Sequence, residues 1–149
     1  MSEQSSITGV VIVTHGNHGA EMLNEAQSIV GELPSVRVVS VSMSDPPDVT
    51  NARLNVASCE VEAGQGILFL VDLYGATPAN LCMAFMDGSR EVEVLCGLNM
   101  AMLIKLATSE RGEGPHDLAD LLMNTGRRSI RLGREVTGRV AVDEIKDRT

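Results

Sequence analysis

Four short aliphatic runs, each leading into a loop with glycine or turn residues, set the strongest limit on how this 149-residue chain folds. Residues 7–14 and 67–71 are apolar almost throughout, too uniform for strands with one wet face, so they fit central strands covered on both sides. Residues 36–41 and 91–96 read as two further strands. Between them the apolar positions step by three and four. Met22, Leu23, Ala26, Ile29, Val30 and Leu33 mark a first helix that Pro34 ends, and Val49, Ala52, Val56, Cys59 and Ala63 mark one face of a second that starts near Pro46 and Pro47. Gly64 and Gly66 break the chain before the third strand. Thr77 as cap and Pro78 as first helical residue open a helix through Met86. Helices over about 100–108 and 117–124 follow, and residues 128–142 alternate enough to supply one more strand.

Alternating strands and helices of this kind give an α/β fold: an open, doubly wound, mainly parallel sheet with helices on both faces, in one domain over residues 1–149. Chemistry in such sheets gathers beyond the carboxyl ends of the strands, where the strand order reverses.

The polar residues at those ends are therefore the candidates. The first strand runs into Thr14, His15, Gly16, Asn17, His18 and Gly19, the third into Asp72, Leu73, Tyr74, Gly75, Ala76 and Thr77, and the fourth into Gly97, Leu98 and Asn99. With strands one and three as neighbours, His15 and Asp72 meet. A carboxylate beside an imidazole fixes its tautomer, leaves the other ring nitrogen free to attack, and favours the charged ring. Gly16 and Gly19 allow close backbone approach to an anion at the start of the first helix, where free amides favour negative charge. Thr14 and Thr77 are further hydroxyl donors. His18, Tyr74, Gly75 and Asn99 are candidate pocket residues, with the plainer readings that Asn99 caps a helix and Tyr74 packs in the core. His116 reads as a surface residue. His15 and His18 lack the second pair of ligands that a four-coordinate metal site needs, so no metal is expected.

Composition narrows the function classes. The net charge of −8 and the 2% aromatic content argue against nucleic-acid binding, which needs clustered cations or stacking platforms. The charge is uneven: from Gly126 onward there are seven basic and four acidic residues, which reads as an exposed tail or a segment packed on an acidic surface. No apolar run reaches the ~20 residues of a membrane helix. The start of the chain lacks the features of a signal peptide. Cys59, Cys82 and Cys96 read as reduced core cysteines, and a cytoplasmic location is expected.

Three ordered blocks carry a specific resemblance. Gly9-Val10-Val11-Ile12-Val13-Thr14-His15-Gly16, the run from Ile67 to Pro78, and Gly97-Leu98-Asn99-Met100-Ala101-Met102-Leu103 resemble the mannose-family enzyme IIA domains of bacterial phosphoenolpyruvate:sugar phosphotransferase systems. Ala76 and Ala101 depart from the Gly and Pro frequent there. The resemblance implies a phosphotransferase in which His15 carries the phosphoryl group and Asp72 orients it. It implies no metal or organic cofactor, since phosphorylated HPr is the donor and an enzyme IIB-type protein the acceptor in sugar uptake. It also implies peripheral association with a membrane permease complex, and a homodimer exchanging an antiparallel C-terminal strand, placed at about residues 129–132. A regulatory phosphohistidine protein and a dihydroxyacetone-kinase phosphocarrier share this chemistry. A non-enzymatic anion- or nucleotide-binding module is the remaining alternative, although the chain has neither a Gly-x-Gly-x-x-Gly nor a Walker-type loop.

Overall fold

The computed structural model describes residues 6–139. Its elements run β1 (Ile7–His15), α1 (His18–Val30), β2 (Val36–Val41), α2 (Pro47–Val61), β3 (Gly64–Val71), α3 (Thr77–Met83), β4 (Val92–Cys96), α4 (Met100–Thr108) and α5 (Pro115–Arg128), with a π-helical turn at Glu135–Arg139. The four strands form one parallel sheet in the order β2-β1-β3-β4. The order reverses between β1 and β3, so the crevice expected of a doubly wound sheet opens there.

Both faces of the sheet are covered, as the uniformly apolar strands require. Val10, Ile12, Leu68 and Leu70 pack with α1, α4 and α5. The alternate residues Val11, Val13, Ile67, Phe69 and Val71 pack with α2 and α3. This period of two decides which side of the molecule each terminal side chain enters. At Gly9, β1 passes so close to α2 that an added Cβ would lie 2.3 Å from the Val61 carbonyl oxygen.

Several sequence expectations are corrected. The α2 face turned to the sheet is Thr50, Leu54, Ala57, Ser58 and Val61, while Val49 and Val56 are 44% and 58% exposed and Cys59 faces solvent. The helix carries two apolar stripes about one residue step apart, and the sheet takes the one with the larger Leu54. Helix α1 stops at Val30 because Gly31, at φ +88, ends it; Leu33 still reaches the core from beyond the helix. Gly64 and Gly66 open β3 rather than break the chain before it. Ala76, not Thr77, is the N-cap of α3.

Residues 129–132 are not a strand. Helix α5 runs to Arg128, and the amides of Ser129 and Ile130 donate to the carbonyls of Thr125 and Arg127, closing the helix end. The rest of the expected strand, beyond residue 139, lies outside the described residues. Among the described residues, no helix is long and apolar enough to cross a membrane.

Candidate active site at the crevice between β1 and β3

His15 ends β1, and Asp72 follows β3 directly, held by its own amide donating to the Val13 carbonyl (3.2 Å). The pairing of Val13 with Val71 brings the two residues together. The His15 amide donates to Asp72 Oδ2 at 2.9 Å, and the ring Nδ1 lies 3.1 Å from Oδ2 and 3.2 Å from Oδ1. An ionised carboxylate only accepts, so Nδ1 bears the hydrogen and Nε2 is left with its lone pair. Among the described residues, none hydrogen-bonds Nε2. A second imidazole reaches the same carboxylate: His18, the first residue of α1, places Nε2 2.8 Å from Oδ2.

Asp72 is mostly shielded, with a side chain 13% exposed, against 35% for His15 and 56% for His18. Burial pushes its carboxyl upward. The hydrogen bonds from the His15 backbone, His15 ring and His18 ring, with the charge of His15, outweigh burial and hold it below the usual carboxylate range. It therefore stays charged at neutral pH, and its contribution is lost only as pH falls through that lowered value.

By strand alternation His15 shares the side of Val11 and Val13. It lines a cleft of about 350 Å³ with Ser42, Asp45, Thr50, Gly75, Thr77 and Asn80 among its walls. The cleft thus lies between the carboxyl ends of β1 and β2 and the starts of α2 and α3. A nucleophilic nitrogen, an orienting carboxylate and a polar recess beside them suit transfer of a small anionic group.

The family model described as PTS system fructose IIA component, EIIA-man, matches residues 9–123, which take in all of these site residues. The chain belongs to this family. The mannose/sorbose-specific IIA subunit of the phosphotransferase system from Enterococcus faecalis superposes with a TM-score of 0.75 at 34% identity, over 85% of this chain and 94% of that one. The phosphotransferase system component EIIA from Streptococcus agalactiae does so with a TM-score of 0.75 at 26% identity, over 85% and 97%. The mannose-specific EIIAB component of Escherichia coli (strain K12) is 26% identical over 123 residues, 82% of this chain. The chain spans 38% of that protein's length.

Within this EIIA-man domain the other candidates fall into place unequally. Thr14 is fully buried on the α1 side; its hydroxyl donates to the Gly16 carbonyl and accepts from the Gly19 amide, both at 3.1 Å. The Gly16 amide donates to the Val41 carbonyl at 2.9 Å. Both were expected to bind phosphoryl oxygens; in this structure the Thr14 hydroxyl is engaged within the turn and the Gly16 amide by the end of β2. Gly16 is needed for its φ of +63 and Gly19 for space, since a Cβ there would lie 2.7 Å from the Thr14 side chain. Thr77, freed from capping, lines the cleft, as does Gly75.

Asn99 caps α4, accepting from the Met102 amide and donating to the Gly126 carbonyl, each at 3.2 Å, so it ties α4 to α5 and is not part of the cleft wall. Tyr74 is 78% exposed, outside the core. His116 sits near the other edge of the sheet, clamped between Glu93 (2.9 Å) and Glu91 (3.1 Å), which raise its pKa. Ser42, Asp45, Thr50 and Asn80 were not singled out from sequence. The one signal for them was that β2, like β1 and β3, ends at this edge.

Proposed function

We propose that this chain is a phosphocarrier in which Nε2 of His15 accepts a phosphoryl group from phospho-HPr and passes it to an enzyme IIB-type protein in sugar uptake. The observation that carries the reading is the bond from His15 Nδ1 to Asp72, which leaves Nε2 unprotonated on the wall of a polar cleft. In the forward step the Nε2 lone pair forms a bond to phosphorus as the donor's P–N bond breaks, and the donor nitrogen leaves with that electron pair. Asp72 offsets the positive charge the ring gains, and Nδ1 keeps its hydrogen. Thr77 and Asn80 are the side-chain donors we assign to the phosphoryl oxygens. The catalytic contribution is positioning and electrostatics, which phosphoryl transfer chiefly requires.

The test is incubation with phosphoenolpyruvate, enzyme I and HPr, with the label followed on this chain. One acid-labile phosphoryl group per chain is expected. Asp72→Ala should slow its appearance by about 10- to 100-fold, the value of a charge-assisted hydrogen bond of roughly 1.5–3 kcal/mol. No label on the wild-type chain, or an unchanged rate in Asp72→Ala, contradicts the reading.

A further inference from the structure

Asp72 Oδ2 accepts two hydrogen bonds besides the contact with the His15 ring, and the shorter comes from His18, at 2.8 Å against 2.9 Å from the His15 amide. We infer that His18 is a positioning residue for the reaction: by donating Nε2–H to Oδ2, it fixes the plane of the Asp72 carboxylate so that the carboxylate in turn fixes the ring of His15. The inference rests on His15 being the phosphoryl acceptor, and it extends that reading to a residue one helical position into α1.

The terminal torsion of an aspartate is soft and roughly two-fold, so a single donor leaves the carboxylate free to rock. Two donors on one oxygen, from the His15 backbone and the His18 ring, remove that freedom. His15 Nδ1 then meets both oxygens at nearly equal distance, 3.1 and 3.2 Å. The three donors to Asp72 all come from one stretch of chain, residues 15–18, which wraps the carboxylate.

That stretch is built to hold its shape. Thr14 links the Gly16 carbonyl to the Gly19 amide across the turn, Gly16 has φ +63, Gly19 has no room for a Cβ, and the Ser40 hydroxyl donates to the Asn17 side chain at 3.3 Å. His18 is set in place between these fixed points.

The experiment compares wild type, His18→Ala and His18→Gln by single-turnover transfer from phospho-HPr and by ¹⁵N NMR of the His15 ring. Glutamine offers an uncharged N–H donor in place of the imidazole. In His18→Ala, acceptance should fall about tenfold, near the low end for a hydrogen bond to a charged group. The His15 ring, expected as the Nδ1–H tautomer in wild type, should become a mixture of tautomers, and His18→Gln should recover most of both. A His18→Ala protein with wild-type rate and an unchanged His15 tautomer overturns the inference, as does equal slowing of both variants with the tautomer unchanged. The NMR readout needs no phosphoryl transfer, so failure of His18 as a positioning residue is distinguishable from failure of His15 as the acceptor.

Discussion

A chain carrying His15→Ala should accept no phosphoryl group from phospho-HPr. The loss should be complete because, among the described residues, nothing else at the crevice has a free nucleophilic nitrogen in the same place. His18 is the nearest substitute, yet its Nε2 is the nitrogen bound to Asp72, and its ring is not part of the cleft wall that His15 shares with Thr77 and Asn80. Truncating a part-exposed ring at a strand end leaves both packed faces of the sheet intact. The variant should therefore unfold in one cooperative transition like wild type, and loss of label is read as lost chemistry. Label retained at the wild-type rate in this variant removes His15 from the mechanism.

The second large effect lies at the opposite end of the sheet and concerns stability alone. Arg111 is 6% exposed, and among the described residues no carboxylate pairs with it. Its guanidinium donates to three backbone carbonyls: Thr8 (Nε 3.0 Å, Nη2 2.6 Å), Pro34 (Nη1 2.6 Å) and Ser35 (Nη2 3.1 Å). Its own carbonyl accepts from the Thr8 amide at 2.8 Å. One side chain thus closes the amino-terminal edge where β1 and β2 begin. Burial pulls its pKa down to about 10, so it remains charged at neutral pH. Arg111→Ala strands the Thr8 and Pro34 carbonyls, each at a cost of about 1–3 kcal/mol, while Ser35 keeps the bond from the Val10 amide. A total of roughly 4 kcal/mol is a large part of the ~5–15 kcal/mol that holds a domain folded. The melting temperature should fall by about 10 °C, at ~2–4 °C per kcal/mol for a chain of this size. Lysine should restore little, since one ammonium cannot reproduce the planar fork. A fall of under about 2 °C in thermal unfolding followed by circular dichroism would contradict this account. Protein kept folded at low temperature should still accept phosphoryl groups, because Arg111 is a full strand length from His15.

The His15–Asp72 pairing was legible in the sequence because it needs only two facts, that both residues follow buried strands and that those strands are neighbours. The cleft was less legible. Thr14 adjoins His15 in sequence, but alternation sends it to the α1 side, where it is consumed by the turn. Reading that requires knowing which helices cover which face. Ser42, Asp45 and Asn80 reach the cleft from β2, α2 and α3, a convergence that spacing along the chain does not encode. The same limit applied to α2, where two apolar stripes fit the helical period equally well and only packing on the sheet chose between them. Arg111 sat in a stretch legible only as a glycine-rich break, and its partners lie 76 to 103 residues away. The alternation after Arg128 does not give a strand at its start, because Ser129 and Ile130 spend their amides closing α5.

The most direct measurement is NMR of the phosphorylated, ¹⁵N-labelled protein, which reports the nitrogen that bears phosphorus. The account predicts coupling of ³¹P to Nε2 of His15, with Nδ1 still protonated toward Asp72. Phosphorus on Nδ1 of His15, or on either nitrogen of His18, would contradict it.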